Sequence, residues 1–206
     1  MTAFEFLEVS GDAVARSPME HQAREAGARF EVRDGWNVAV SYPANAALTW
    51  TDMSHLRKRE VRGAHELAPG LASKVDGSWW CPITRDRALV LGGSDPLSGG
   101  DSRGLTPIDV TTTLAALSVA GPLAREVFAR FCALDLRERE MPVGGFRPGS
   151  VARTPGYVLR EDEDRFLMLF GAALGRYMWT VVADACATLG GAPVGVDALE
   201  EAAVHA

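Results

Sequence analysis

The sequence predicts an α+β fold made of ferredoxin-like halves. Strand and helix patterns follow one another as strand–helix–strand–strand–helix units, and no run of apolar residues is long enough to suggest another class. The 206 residues are 47% hydrophobic and 23% charged, which is typical of a globular domain. We therefore expect one domain over residues 1–206, with two lobes joined near 94–107, where a stretch rich in glycine, serine and proline lacks any periodicity.

The first helix is predicted over 18–26. Ser17 can cap its amino end, Pro18 suits the first helical position, and Glu20 can complete a capping box by bonding back to the Ser17 amide. Gly27 is a typical residue for ending a helix. The alternating segment Trp36 to Tyr42 then predicts a strand.

A basic strand is predicted from Leu56 to Arg62. Neither of its two faces is fully apolar, so we expect it at a sheet edge or beside a polar cavity. Its cationic residues are interpreted as a solvated sheet face; they are Arg57, Lys58, Arg59 and Arg62. A short helix is predicted over 65–72.

The remaining elements alternate between hairpins and helices. Segments 79–81 and 88–91 predict one hairpin, and segments 157–160 and 165–170 predict a second one around an acidic turn. Residues 110–120 predict a strand, and Gly121-Pro122 begins a helix in which Glu126 and Arg130 can pair. A proline-containing loop is expected over 137–156. The last helix, 172–189, carries a core-facing stripe made of Leu174, Tyr177, Met178, Val181, Val182, Ala185, Cys186 and Leu189.

The charge and the cysteines exclude several classes of function. The net charge of −6 disfavours nucleic-acid binding, which needs clustered lysine and arginine. No apolar span suits a transmembrane helix, and acidic residues stand where a secretory signal has basic ones, so we expect a cytoplasmic protein. Cys81, Cys132 and Cys186 fit neither a disulfide framework nor a zinc site, and the histidines show no metal-ligand spacing.

The best local cluster for chemistry is Asp52-Met53-Ser54-His55. On an extended backbone Asp52 and Ser54 share one face and His55 points to the other, which argues against a catalytic triad within this segment. Asp52 or Ser54 can instead brace the following strand. The acidic turn 161–164 either solvates a hairpin tip or offers a carboxylate to the amino-pyrimidine edge of a pterin.

Three stretches resemble the glycine-cleavage T-protein superfamily of folate-binding aminomethyltransferases. The first is a short helix ending in Gly27-Ala28-Arg29, followed by a strand that Tyr42 closes. The second, TDMSHLRKREVRG, is similar to an Asp-x-Ser-His-Met…Glu-Val-x-Gly strand of that family. The third is a strand followed by Gly121-Pro122 and a helix. The resemblance implies the aminomethyltransferase fold, here without its C-terminal barrel domain.

The departures from that family point to one of its branches. The Gly-Gly-x-x-Asp-Asp strand, the pterin-binding hairpin and the Ala-Arg-Asp-x-Leu-Arg segment of T-proteins are all altered in this chain. In this respect it is similar to the sarcosine oxidase gamma subunit. The resemblance implies an accessory subunit with no catalytic residues and no cofactor of its own, packed against larger subunits that hold flavin and folate.

The alternative is a stand-alone tetrahydrofolate-dependent transferase or folate-binding protein of the same fold. The resemblance then implies a folate site between the lobes. Arg153, Tyr157 and Glu161 would be its polar contacts, and Leu56 would stand on the apolar wall where the family has methionine.

Overall fold

The computed structural model describes residues 13–43, 46–63, 67–93 and 105–199. Within these ranges the chain forms three α-helices and fourteen strands, numbered here in chain order. The helices are α1 (Glu20–Glu25), α2 (Ala124–Ala129) and α3 (Gly175–Ala187). The strands are β1 (Ala15–Arg16), β2 (Arg29–Arg33), β3 (Trp36–Ser41), β4 (Thr49–Asp52), β5 (Lys58–Arg62), β6 (Ser73–Val75), β7 (Ser78–Thr84), β8 (Arg87–Leu91), β9 (Thr106–Asp109), β10 (Leu114–Ala120), β11 (Phe146–Val151), β12 (Thr154–Asp162), β13 (Arg165–Gly171) and β14 (Ala192–Pro193).

A six-stranded sheet separates the two main hydrophobic cores. Its strand order is β11-β12-β13-β10-β4-β14, and only the β4–β14 pair is parallel. Because side chains alternate across a sheet, Leu117 and Val119 of β10 join the core beneath the helices, whereas Ala116 joins the second core. Strand β13 alternates in the same way, which explains why nearly all of its residues are buried.

A five-stranded antiparallel sheet covers the other face, in the order β6-β7-β8-β5-β9. Its buried side chains Cys81, Leu89 and Leu91 pack against Leu159 and Leu167 of the six-stranded sheet. The two sheets therefore form a sandwich, with the helices as a third layer on the opposite side of the six-stranded sheet.

A small sheet, β1-β3-β2, stands beside this sandwich. Val38 and Val40 of β3 form a third core with Val196, and Met53 packs against it. The turn between β2 and β3 places Asp34 at φ 48° and Gly35 at φ 76°. An Asp-Gly pair suits this left-handed hairpin turn, because both positions require a positive φ.

Several predicted elements are confirmed. The α+β class holds, both predicted hairpins form as β7–β8 and β12–β13, and the long final helix appears as α3 after a short 3-10 turn over Ala172–Leu174. Most of the predicted stripe faces the helical core, but Tyr177 is 45% exposed. Among the described residues, no helix is long and apolar enough to cross a membrane.

Other expectations are wrong in detail. Residues 67–72 are not helical (64–66 lie outside the described residues), and residues 111–113 form a turn before β10 begins at Leu114. The expected loop over 137–156 contains β11, and the expected joint near 94–107 ends inside β9, although 94–104 lie outside the described residues. The predicted Glu126–Arg130 pair does not form, since α2 ends at Ala129 and Arg130 lies beyond its last turn.

The basic strand and the first helix need similar corrections. Strand β5 is not at an edge, because it pairs with both β8 and β9, and Lys58 is fully buried rather than solvated. Helix α1 begins only at Glu20, whose carboxylate binds Arg24. The Ser17 hydroxyl accepts a hydrogen bond from the Met19 amide and donates one to Asp52, so it serves the tertiary structure as well as the helix start.

Candidate functional site

A polar pocket lies where the small sheet meets the five-stranded sheet. Its cavity measures about 470 to 630 Å³ in comparable pockets of this chain and 630 Å³ here. Residues from four turns line it, namely Ala15, Asp34, Trp36, His55, Leu56, Arg57, Gly92, Gly93, Asp109, Thr111 and Thr112. A pocket of this size accommodates a small organic ligand. The β4–β5 turn, which includes His55 and Leu56, supplies the centre of its sequence-predicted residues.

The buried ammonium of Lys58 holds the adjoining turns together. Its Nζ donates to the carbonyl oxygens of Ser54 at 2.8 Å, Leu56 at 2.7 Å and Thr111 at 3.3 Å. Its backbone amide also donates to the hydroxyl of Thr111 at 3.0 Å. Lys58 thus ties the β4–β5 turn to the β9–β10 turn, and its three protons already have acceptors.

This engagement limits what Lys58 can do chemically. Burial lowers the pKa of Lys58 to about 8, although the charges of Asp52 and Asp109 oppose the effect. The three carbonyl acceptors favour the charged ammonium, because they can bind it only while it carries its protons. A lysine nucleophile needs a free lone pair, so this arrangement suits a structural cation rather than Schiff-base chemistry.

Asp52 braces the same region from the helical side. Its carboxylate accepts hydrogen bonds from the Ser17 hydroxyl and from the Ser54 amide, the latter at 2.9 Å. Burial raises the pKa of Asp52, while those two bonds and the charge of Lys58 oppose the rise. Both carboxylate oxygens are therefore occupied, and no hydrogen bond joins Asp52 to His55. The bracing role considered from the sequence is the one that the structure shows.

His55 faces the pocket as a neutral imidazole. Burial lowers its pKa to about 4, and the positive charges of Lys58 and Arg33 lower it further. At neutral pH the ring can donate one hydrogen bond and accept another. With Trp36 and Leu56 as apolar walls and Arg57 exposed nearby, the pocket can bind a flat polar molecule, and its described residues hold no nucleophile paired with a base.

The structure places Leu56 and Tyr157 against one core but in different pockets. Both pack against the core between the two large sheets. Leu56 lines the polar pocket, whereas Tyr157 lines an apolar groove of about 630 Å³ together with Leu114, Pro148, Gly149, Pro155, Gly156, Phe170, Gly171 and Leu174. The Tyr157 ring stacks on Phe146, with ring centroids 5.5 Å apart and planes 7° from parallel.

Arg153 and Glu161 lie apart from both of these pockets. Arg153 is exposed in the turn between β11 and β12 and lines a groove on the helical side of the six-stranded sheet. Glu161 is half-buried beside Arg165, with 3.3 Å between Oε2 and Nε, and burial raises its pKa despite the charges of Arg165 and Lys74. The four residues predicted as folate contacts therefore line no common cavity, and their role in binding stays a prediction.

Sequence reasoning missed Lys58 as the organiser of the pocket. A lysine within the run Arg57 to Arg62 resembles its solvated neighbours, and only the turns that supply its three carbonyl acceptors distinguish it. The alternation of the strand does separate Lys58 from Arg57 and Arg59, but it does not say which face is buried. Among the described residues, no group of three or more histidine, cysteine, aspartate or glutamate side chains could hold a metal ion.

Two comparisons give no match: neither a family model nor a curated protein matches this chain. Solved structures do. A chain of a heterotetrameric sarcosine oxidase from Corynebacterium sp. U-96, in complex with pyrrole 2-carboxylate, has a TM-score of 0.64 and 19% identity, covering 82% of this chain and 93% of that one. The glycine cleavage system aminomethyltransferase T from Bartonella henselae has a TM-score of 0.69 and 16% identity, covering 90% of this chain and 60% of that one.

Proposed function

We propose that this chain, which has the fold shared by those two structures, is an accessory subunit of a sarcosine-oxidase-type complex in folate-linked one-carbon metabolism. The observation that carries the proposal is the coverage. The fold matches 93% of one chain of a heterotetrameric oxidase but only 60% of an aminomethyltransferase. A similar extent favours the oxidase chain as the functional counterpart, because the aminomethyltransferase has a large part with no equivalent here.

The condition of the polar pocket supports an accessory role. The ammonium of Lys58 and the carboxylate of Asp52 are already bound to groups of the protein itself. The residues predicted to contact folate lie in separate places. In the proposed complex, larger subunits holding flavin and folate carry out the oxidation and the one-carbon transfer, and this chain contributes surface to their assembly.

The test is co-purification of the full chain with flavin-containing subunits from its native cells. We expect a yellow complex with flavin absorbance, oxygen consumption that depends on sarcosine, and this chain in constant ratio to the larger subunits. A chain that elutes alone, in fractions free of flavin and of sarcosine-dependent oxygen consumption, would contradict the proposal.

One observation favours a second candidate, a folate-binding protein. The polar pocket has the size of a ligand site and combines Trp36 and Leu56 with the neutral ring of His55. Calorimetric titration of the isolated chain with tetrahydrofolate tests it. Micromolar binding that is lost in Leu56→Arg would support this function, with Leu71→Arg, an exposed leucine outside the pocket, as the matched control. Absence of binding at millimolar folate would exclude it.

A further inference from the structure

A groove on the helical side of the six-stranded sheet has an apolar floor. It lies between the end of α2, the β11–β12 turn and α3, and its cavity measures about 420 Å³. Phe131 and Val181 form part of the floor and are half-buried against the helical core. The ring of Tyr177, 45% exposed, stands beside them. We call this feature the helix-side groove.

Two arginines without ion pairs line the helix-side groove. Arg130 and Arg153 are both exposed, and no carboxylate among the described residues lies within 4.0 Å of either guanidinium. Glu126 and Asp184, on the two adjoining helices, form no ion pair with them either. No acidic residue lines the groove, although the chain as a whole carries a net charge of −6.

The turn that carries Arg153 is conformationally strained. Ala152 has φ 47° and Arg153 has φ 62°, in the left-handed region where each residue other than glycine costs about 1–2 kcal/mol. The surroundings fix this turn, because the Ala152 amide donates to the Phe131 carbonyl at 2.8 Å and the Tyr177 hydroxyl donates to the Ala152 carbonyl at 3.1 Å. Hairpin turns of this shape favour Asn-Gly.

An arginine in place of the favoured glycine needs an explanation other than stability. Strained residues held by their surroundings concentrate at functional sites. Here the strain keeps a cation at the rim of an apolar groove, opposite a second unpaired cation. Such a combination recognises carboxylates that stand next to an apolar group, since arginine binds carboxylates through two parallel hydrogen bonds.

We propose that the helix-side groove docks an acidic segment of a partner protein. The segment places an apolar side chain on Phe131 and Val181 and its carboxylates against Arg130 and Arg153. Charge complementarity selects this occupant, because the groove is a positive site on an otherwise acidic protein. The proposal rests on the proposed accessory function only for the identity of the partner, which would be a larger subunit of the complex.

Fluorescence polarisation with labelled peptides tests the chemistry on the full chain. The first probe is Gly-Ser-Glu-Phe-Asp-Leu-Glu-Gly-Ser, the second replaces its acidic residues with lysine, and the third replaces its phenylalanine and leucine with glycine. We expect the first probe to bind at least about tenfold more tightly than either other probe, and to weaken as salt is raised. Equal binding of the lysine probe, or no binding of the first probe at millimolar protein, would overturn the proposal.

Substitutions then assign the binding to the groove. Arg130→Glu and Arg153→Glu should each weaken the first probe at least about tenfold, because each replaces an attraction with a repulsion. The matched control is Arg85→Glu at the exposed tip of the β7–β8 hairpin, which changes the net charge equally and should leave binding within about twofold. Circular dichroism and thermal melts confirm that the variants fold. Arg153→Glu that binds as tightly as wild type overturns the assignment.

Two further outcomes separate the groove from the proposed function. If the flavin complex assembles in the wild type and fails in Arg153→Glu but not in Arg85→Glu, the segment belongs to an oxidase subunit. If the complex assembles equally in all three, the function stands and the groove proposal fails. If free p-aminobenzoylglutamate displaces the peptide at equal concentration, the groove is a small-molecule site and the docking proposal is wrong.

Discussion

The polar pocket and the helix-side groove use similar residues for opposite ends. In the pocket, Lys58 and Asp52 are buried and every strong hydrogen-bonding group has a partner within the protein. In the groove, Arg130 and Arg153 are exposed and no described carboxylate pairs with them. The pocket therefore consumes its charges in holding the fold together, whereas the groove keeps them available for another molecule.

This difference teaches that a cluster of charged residues is informative mainly through its unmet partners. The pocket looks more like an active site from the sequence, because it holds aspartate, serine, histidine and lysine within seven residues. Its hydrogen bonds show that those groups serve each other. The groove draws no notice in the sequence, since its residues come from segments about twenty to fifty positions apart.

The largest effect is expected from Lys58→Met. The variant keeps the apolar stem but leaves the carbonyl oxygens of Ser54, Leu56 and Thr111 without their shared donor. We expect the free energy of unfolding to fall by about 3–4 kcal/mol, because buried acceptors lose their hydrogen bonds. Urea denaturation followed by circular dichroism measures the change.

The neighbouring arginine provides the control for that experiment. Arg57 is exposed on the same strand-leading segment, so Arg57→Met should change the unfolding free energy by less than about 0.5 kcal/mol. Equal destabilisation by Arg57→Met and Lys58→Met would remove the distinction between a structural cation and a solvated one.

A smaller loss is expected from Asp52→Ala. Without the carboxylate, the Ser17 hydroxyl and the Ser54 amide lose their acceptor at a buried position. We expect about 2 kcal/mol of destabilisation. Ser17→Ala removes only one of these bonds and should cost about 1 kcal/mol, so the two variants graded by urea denaturation test whether Asp52 braces both partners. Similar values for both would contradict this role.

Acidification should destabilise the protein through His55. In the unfolded chain the ring takes up a proton near its ordinary pKa of 6.5, whereas the folded ring stays neutral down to a pKa of about 4. Between these pH values the unfolded state binds more protons, so stability falls as the pH falls. Because the ring is partly in contact with solvent, we expect a loss of about 1–2 kcal/mol across this window.

The variant His55→Gln isolates that contribution from other titrating groups. Glutamine keeps a donor and an acceptor but has no proton to gain, so its stability should depend less steeply on pH between 6.5 and 4. Denaturation curves at several pH values for both proteins give the difference. Parallel curves for wild type and His55→Gln would show that burial of the ring imposes no such penalty.

Local patterns predict the elements of this fold better than they predict its site. Strand β13 and helix α3 are recognisable because their apolar residues follow the period of the structure. Strand β11 escaped because Pro148 and Gly149 are typical of loops, and only its pairing with β12 makes it a strand. The burial of Lys58 depends on carbonyl groups from two turns about fifty residues apart, which a local pattern does not contain.

The smallest effect on stability, and the sharpest test of the comparison, is expected from Arg153→Gly. Glycine adopts φ 62° without steric strain, which favours the folded state, but it also gives the unfolded chain more freedom. We expect a net gain of about 0.5–1 kcal/mol in unfolding free energy, with at least about tenfold weaker binding of the acidic peptide. Arg153→Ala, which removes the cation and keeps the strain, should weaken binding equally without the gain. Stability and binding that fall together in Arg153→Gly would mean that the arginine serves the fold, and the groove would then resemble the pocket.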